Sequence, residues 1–153
     1  MPRSPVEMVQ AILADPTNPD VVDALVAPDA TYVSLNYENA ELKKILPWTG
    51  THRGPQSIRS TFKMVGEYWE NQAFDIEAIF GADENVAVFG RFTFRSNSLG
   101  KTATSPFSIF AKIRNGKVVY MQFMEDTFAT AATFRAGGAS TFRSDPKGGE
   151  VQI

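Results

Sequence analysis

The first part of the chain contains short segments in which apolar residues recur at helical spacing. Ser4-Pro5-Val6-Glu7 has the pattern of a capping box with proline at the first helical position, which predicts a helix from about Pro5 to Ala14. Asn18-Pro19 predicts a second, shorter helix, and Gly54-Pro55 predicts a third. Apolar residues of the third helix follow at steps of four, three and four and share one face. They are Ile58, Phe62, Val65 and Trp69.

The remainder of the chain alternates with the two-residue period of strands. Gly90 lies in the middle of one such segment and predicts a bulge or bend in a curved sheet. Asn115-Gly116 predicts a two-residue hairpin turn, because both central residues of that turn need positive φ. The predicted strands are 30–35, 74–80, 86–95, 103–114 and 117–128.

The hairpin turn sets a register for the last two strands. With two residues in the turn, Ala111 pairs with Tyr120 and Phe107 with Met124. One face is then largely apolar with a few polar groups, as expected for the floor of a pocket, while the other carries Met121 and Phe123 and predicts a subunit contact. The predicted floor consists of Phe107, Ile109, Ala111, Tyr120, Gln122, Met124 and Asp126.

Length and composition favour one globular α+β domain in which helices pack on a strongly curved antiparallel sheet and enclose a small-molecule pocket. The chain has 153 residues, of which 43% are hydrophobic, so a single core is expected. A net charge of -2 without a basic stripe argues against nucleic-acid binding. No apolar run is long enough for a membrane span, and no signal peptide is recognisable, so a cytoplasmic protein without membrane contact is expected.

Three segments resemble the nuclear transport factor two-like superfamily, in its SnoaL-like and ketosteroid isomerase-like branch. They are Ala30-Thr31-Tyr32, Thr49 to Ile58, and Met124-Glu125-Asp126-Thr127. The resemblance covers residues 5 to 135 and implies one SnoaL-like domain over residues 1–135, and a loosely ordered tail is expected at 136–153. It also implies a cone-shaped sheet against three helices, as in a cystatin-like α+β roll, and a homodimer. The tail lies outside the resemblance, and its expected loose order is drawn from Gly137-Gly138 and Gly148-Gly149.

The resemblance makes Asp126 the first catalytic candidate, since it matches a carboxylate that acts as general acid/base in SnoaL-like cyclases. Apolar neighbours such as Phe107 and Met124 would raise its pKa towards neutrality. The alternative is an aspartate that caps or pairs near a strand end. Glu125 is expected to point to the opposite face and to be structural.

His52 and Tyr32 are candidates for polarising a substrate oxygen. The alternative for His52 is a surface residue or a local hydrogen-bond partner. A single histidine without spaced partners does not make a metal site, so no metal is expected, and the chain has no cysteine. Arg91 would either bind a substrate carboxylate or pair across the strands with Asp75.

Aromatic side chains with polar tips suit flat ligands, which predicts an apolar or aromatic, ring-containing ligand. The alternative for each of these residues is a place in the core. The predicted substrate-binding residues are Trp48, Phe62, Trp69, Arg91, Phe107, Tyr120, Gln122 and Met124.

Two known chemistries of the superfamily lack residues here. Ser34 stands at the position that best matches the aspartate base of ketosteroid isomerases, and Thr93 stands where limonene-epoxide-hydrolase-like enzymes carry an aspartate. The favoured function is therefore a SnoaL-like enzyme of cofactor-free acid/base chemistry, such as cyclisation, isomerisation or dehydration, on an apolar cyclic substrate. The alternative is a non-catalytic ligand-binding or accessory protein.

Overall fold

The computed structural model describes residues 2–153, and its three main helices begin at the proline signals in the sequence. Helix α1 spans Pro5–Ala14 and is preceded by the capping box: the Glu7 N–H donates to Ser4 Oγ at 3.2 Å, and the Ser4 N–H donates to the Glu7 carboxylate at 2.8 Å. Helix α2 spans Pro19–Leu25, and α4 spans Pro55–Tyr68. Two shorter helices are α3, Ala40–Ile45, and α5, Thr127–Ala132.

Six strands form one curved sheet in the order β2-β1-β6-β5-β4-β3, which confirms the α+β fold. All neighbouring strands are antiparallel except β1 and β6, which run parallel. Pairing between these two brings residues near the end of β1 beside the end of β6. The strands are β1, Val26–Ser34; β2, Gly50–Arg53; β3, Trp69–Ala82; β4, Asn85–Ser96; β5, Thr102–Arg114; and β6, Lys117–Glu125.

A β-bulge in β6 decides which side chains face the helices. Ile113 pairs with Val118 as the hairpin turn predicts, but Lys112 pairs with Tyr120, so Val119 is an extra residue in the ladder. One inserted residue moves every later side chain to the other face. The pocket floor predicted from Tyr120 onward is therefore wrong: Tyr120, Gln122 and Met124 lie on the convex face, and the concave face carries Met121, Phe123 and Glu125.

Gly90 marks a second bulge, as predicted. It pairs with Ile76, whereas the next residue pair is Phe89 with Ala78, which leaves Glu77 as the extra residue of β3. A Cβ atom at position 90 would lie 2.1 Å from the carbonyl oxygen of Asp75. Only glycine allows the two strands to approach so closely at this bend.

The hydrophobic core lies between the concave face of the sheet and the helices. Val9 and Ile12 of α1 and Ile58 of α4 are buried against it. On the sheet, Phe107 stacks on Phe123 with ring centroids 5.3 Å apart, and Phe74 stacks on Phe107 at 4.7 Å. Phe74, Phe107 and Phe123 thus form one stacked aromatic layer on the concave face.

The C-terminal residues contain a short exposed hairpin rather than only loose chain. Strand β7, Thr141–Phe142, pairs with β8, Val151–Gln152. Phe134, before the hairpin, stacks on Trp69 with ring centroids 5.1 Å apart and so packs within its own chain. No helix within residues 2–153 has the length and hydropathy needed to cross a bilayer.

Candidate active site

A cavity of about 340 Å³ lies between the concave face of the sheet and helices α1 and α4. Its wall is mostly apolar, with seven aromatic residues among the sixteen that line it, and the polar groups are few. Among residues 2–153, Glu125 is the only charged side chain that lines it. The lining residues are Leu13, Pro16, Tyr32, Ser34, Leu35, Trp48, Thr61, Phe62, Val65, Gly66, Trp69, Asn71, Phe74, Phe94, Phe123 and Glu125.

Glu125 is the last residue of β6 and faces the cavity because of the bulge at Val119. Its Oε2 atom is buried and has no hydrogen-bond partner. Burial raises the pKa of the Glu125 carboxyl to about 7; the Thr130 hydroxyl works against this rise, and the charge of Asp126 adds to it. Such a carboxyl can both give and take a proton near neutral pH.

Tyr32 and Ser34 lie on β1, the strand that runs parallel to β6, and they line the same cavity as Glu125. Tyr32 pairs with Met121 and Ser34 with Phe123, so all four residues share the concave face. Burial raises the pKa of the Tyr32 phenol above its ordinary value, Ser34 lowers it, and the charge of Glu125 raises it further. Tyr32 is therefore a neutral hydrogen-bond donor at the polar end of the cavity.

The chain turns sharply where β1 ends. Leu35 lines the cavity with φ at 69°, a left-handed conformation that is unusual for a leucine, and its N–H donates to the Phe123 carbonyl at 2.8 Å. Both amide atoms of the next side chain, Asn36, are buried without a partner. In residues 2–153 the remaining buried side-chain polar atoms without a partner are Glu125 Oε2 and Thr130 Oγ1.

Asp126 does not lie in the cavity, so its predicted placement there is wrong. Its exposed carboxylate accepts a hydrogen bond from the Ala129 N–H at 3.1 Å and caps α5. Its own N–H donates to Ser105 Oγ at 2.9 Å. Asp126 is therefore a helix cap, which is the alternative given for it from the sequence. The carboxyl that the bulge in β6 brings into the cavity is that of Glu125.

His52 lies behind the cavity wall. Its Nε2 atom is 2.9 Å from the Trp48 carbonyl and 3.2 Å from that of Thr49, and because both partners are acceptors, Nε2 must carry the proton. Tyr32 and His52 are paired residues of β1 and β2, but only Tyr32 lines the cavity. His52 is therefore a local hydrogen-bond partner, as the alternative from the sequence predicts.

Arg91 lies on the convex face, outside the cavity. It pairs in register with Asp75, as the cross-strand alternative predicts, and its Nε atom is 3.4 Å from a carboxylate oxygen of Glu77. Both side chains of this ion pair are more than half exposed, so its contribution to stability is small. No group of three or more His, Asp or Glu side chains within residues 2–153 is arranged to hold a metal ion.

The other predicted wall residues lie in three places: in the cavity wall, in the core and on the convex face of the sheet. Trp48, Phe62 and Trp69 line the cavity, and the Trp48 and Trp69 rings meet edge to face at 5.1 Å. Phe107 is buried beneath Phe123 rather than exposed to the cavity. On the convex face the Tyr120 hydroxyl donates to Gln122 Oε1 at 2.7 Å, and Met124 is exposed.

Sequence reasoning missed Glu125, Ser34, Phe94 and Asn71 as lining residues. The alternation of Phe92 and Phe94 along β4 is the signal that could have found Phe94, since both are buried on the concave face. Asn71 lies in β3, on the residues just before the predicted strand begins. Nothing in the alternation of β6 reveals an inserted residue, so the placement of Glu125 depends on the three-dimensional register.

Comparison with known proteins assigns most of the chain to one family. Residues 7–121 match the family model described as a SnoaL-like domain. The chain belongs to the SnoaL-like family. Patulin synthesis protein F of Aspergillus clavatus is 41% identical, over 96% of this chain and 77% of that protein. Patulin biosynthesis cluster protein F of Penicillium expansum is 40% identical over the same shares.

Solved structures show the same fold in more distant proteins. An NTF2-like protein from Burkholderia thailandensis superposes with a TM-score of 0.73 at 24% identity, covering 87% of this chain and 98% of that one. TerC, co-crystallised with polyporic acid, superposes with a TM-score of 0.69 at 23% identity, covering 85% of this chain and 98% of TerC. These proteins therefore share the fold of this chain, a curved sheet packed against helices.

Proposed function

We propose that this SnoaL-like protein is an enzyme of small-molecule metabolism in which Glu125 transfers a proton within the cavity. The observation that carries the proposal is a single carboxyl group, with a pKa of about 7, in an otherwise uncharged and mostly apolar cavity. Catalytic acids and bases work best when their pKa lies near the working pH. The reaction is a cyclisation, isomerisation or dehydration that needs no cofactor.

The cavity favours a small, uncharged, ring-containing substrate. Its aromatic wall stacks on flat rings, and its volume of about 340 Å³ is at the lower end of ligand pockets, for which roughly 300–1,000 Å³ is usual. No lysine, arginine or histidine side chain lines it among the described residues, so an anionic group would be left without a partner. The ligand is therefore apolar, with an oxygen group at the Glu125 end.

Glu125 and Tyr32, which line the same cavity, would share the work of proton transfer. The Glu125 carboxylate removes a proton from a carbon next to a substrate carbonyl, and the Tyr32 hydroxyl donates a hydrogen bond to the oxygen on which negative charge develops. The proton is then returned from Glu125 to another atom of the same substrate, or to a leaving hydroxyl group. Tyr32 keeps its own proton because its pKa is raised.

The relatives support a role in the synthesis of a small molecule. Both curated relatives carry patulin synthesis in their names, and TerC was crystallised with polyporic acid. A further structural neighbour, from Mesorhizobium loti, is described as a SnoaL-like polyketide cyclase. We propose that this chain likewise acts on a cyclic intermediate of such a synthesis.

Proton transfer can be tested before the natural substrate is identified. Wild-type protein is incubated in D₂O with a panel of small cyclic ketones and enones, and deuterium incorporation next to the carbonyl is followed by NMR. We expect exchange that falls by about 100-fold or more in Glu125→Gln, the range typical of a general base. The matched control is Asp126→Asn, one residue away, which should retain exchange. Loss of exchange in Asp126→Asn with retention in Glu125→Gln would reverse the assignment.

A non-catalytic binding protein is the second candidate. It is favoured by Ser34, which stands at the position that best matches the catalytic aspartate of ketosteroid isomerases. Glu125 is therefore the one carboxyl among the described residues that line the cavity. Trp48 and Trp69 line the cavity, so ligand binding should change tryptophan fluorescence. Tight binding without deuterium exchange, equally in wild type and Glu125→Gln, would favour this candidate.

We also propose a homodimer that forms through the convex face of the sheet. The predicted contact residues Met121 and Phe123 are buried on the concave face, so that part of the prediction is wrong. The convex face nevertheless exposes a set of large apolar side chains, which is unusual for a surface that faces only water. They are Phe80, Phe89, Phe110 and Met124.

A further inference from the structure

Thr130 lies in helix α5, at the fourth helical position after the Asp126 cap, and Glu125 directly precedes that cap. Side chains at these two positions of a helix start commonly contact each other. The Thr130 side chain is 1% exposed, and its Oγ1 atom is buried without a hydrogen-bond partner. Glu125 Oε2 is in the same condition. The Thr130 hydroxyl is also the group that lowers the pKa of Glu125 against the effect of burial. Glu125 and Thr130 thus each bury an oxygen atom without a partner, at the two positions of the α5 start whose side chains face each other.

Helix α5 is held in place on both sides of Thr130. The Thr130 N–H donates to the Asp126 carbonyl at 3.0 Å, and Asp126 caps the helix. The Thr133 hydroxyl donates to the Thr130 carbonyl at 2.7 Å and accepts from Trp69 Nε1 at 2.9 Å. Ser96 Oγ donates to the Thr133 carbonyl at 2.7 Å. These bonds tie α5 to the cavity wall, so the position of Thr130 relative to Glu125 is fixed.

A threonine hydroxyl suits both protonation states of a carboxyl. It donates to a carboxylate oxygen when the acid is charged and accepts from the acid when the acid is neutral. A hydrogen bond to the charged form favours that form. Because Glu125 Oε2 is buried without a partner while the residue lines the cavity, such a bond to Oε2 would leave the other oxygen of Glu125 for a ligand.

We propose that Thr130 is a positioning residue for Glu125: its hydroxyl donates to Oε2 of the charged carboxylate and turns the other oxygen towards the substrate. Thr130 does not itself touch the reacting atoms. The inference rests on the proposed function for its catalytic consequence, but the contact between the two residues can be measured without any substrate.

The direct test is the titration of the Glu125 carboxyl carbon by ¹³C NMR in the full-length protein. Thr130→Val removes the hydroxyl and keeps the shape, and should raise the titration midpoint by about one pH unit, the scale of a lost hydrogen bond to a charged group. Thr130→Ser keeps the hydroxyl and should restore the midpoint. If Thr130→Val does not fold, Thr130→Ala carries the same expectation.

Thr61→Val is the matched control, since Thr61 is a buried threonine that lines the cavity from α4 without acting on Glu125. In Thr61→Val the Glu125 carboxyl should titrate with the same midpoint as in the wild-type protein. An unchanged midpoint in Thr130→Val, or a serine variant that behaves like the valine variant, would overturn the inference.

The pH profile of deuterium exchange separates this inference from the proposed function. In Thr130→Val the rising limb of the profile should move to higher pH together with the NMR midpoint. If Glu125→Gln keeps full exchange, the proposed function fails, while the titrations still decide whether Thr130 positions Glu125. If the midpoint moves and the profile does not, the contact is real but the role of Glu125 in exchange is wrong.

Discussion

The carboxyl groups of Glu125 and Asp126 lie in opposite environments although the residues are neighbours in the chain. Glu125 ends β6 and lines the cavity, where burial raises its pKa to about 7. Asp126 is exposed and accepts the Ala129 N–H at 3.1 Å as the cap of α5. Glu125 is thus a buried carboxyl with a pKa near neutrality, whereas Asp126 stabilises a helix and adds negative charge beside it.

Substitution of Asp126 separates these two contributions. Asparagine caps helices about as well as aspartate, so Asp126→Asn should change the free energy of unfolding by less than about 0.5 kcal/mol, whereas Asp126→Ala should cost about 1 kcal/mol. Asp126→Asn should also lower the pKa of Glu125, because the neighbouring charge that raises it is gone. Urea unfolding and the ¹³C titration check both outcomes; equal stability of the two variants would exclude the capping role.

Stability should fall as the pH rises through the range in which Glu125 ionises in the folded state. Its pKa is about 7 in the folded protein against an ordinary value of 4.5, so between these pH values the folded state binds more protons than the unfolded state. The contribution is fully present below pH 4.5 and is lost as pH rises towards 7, up to about 3 kcal/mol in all.

Glu125→Gln is the control for this pH dependence. Glutamine keeps the size of the side chain and cannot ionise, so the variant should lack the decline between pH 4.5 and 7 that wild type shows in urea unfolding. The same decline in both proteins would mean that another group causes it.

Gly90 should tolerate no side chain, because a Cβ there would lie 2.1 Å from the Asp75 carbonyl and 2.6 Å from the Phe107 ring. Gly90→Ala should therefore lower the free energy of unfolding by about 2–3 kcal/mol. Gly66, in helix α4, has open space around it, so Gly66→Ala should raise stability by about 0.5–1 kcal/mol. Unfolding curves for the pair test the bulge, and equal effects at both positions would contradict it.

The convex face should control the oligomeric state. Phe89 and Phe110 are 48% and 39% exposed there, and a lysine at either position places a charge in the proposed dimer contact. Light scattering should give a dimer for wild type and a monomer for Phe89→Lys or Phe110→Lys. Leu99→Lys, at an exposed site in the turn between β4 and β5, is the control and should remain a dimer. A monomeric wild-type protein would refute the proposal.

Local signals in the sequence are enough to predict most of the elements. The Ser4 capping box gives α1 with its observed bounds, and Asn115-Gly116 gives the last hairpin, with Asn115 at φ 51°. Each of these signals depends on backbone geometry within a few residues, so it can be recognised without the rest of the fold. The short strand β2 and the helix α5 were missed because neither has a strong pattern of its own.

The candidate site is less predictable, since it depends on a one-residue insertion in β6. Proline cannot donate to a ladder, so the sequence predicts a bulge near Pro106 at the far end of the last hairpin. The pairing of β5 with β6 is instead unbroken from Phe107 to Lys112. The actual bulge is at Val119, in a run of residues that fit a regular strand equally well. The sequence therefore assigns the residues of β6 from Tyr120 onward to the wrong face of the sheet, and it predicts Asp126 in the cavity where the structure has Glu125.

The titration of Glu125 in the wild-type protein tests the central claim most directly. Its carboxyl carbon is followed by ¹³C NMR from pH 3 to pH 9, with the resonance assigned by its absence in Glu125→Gln. A carboxyl buried in the cavity predicts a midpoint near the pKa of about 7. A midpoint near the ordinary value of 4.5 would show that Glu125 is hydrated like a surface glutamate, and would contradict its role as the proton-transfer group.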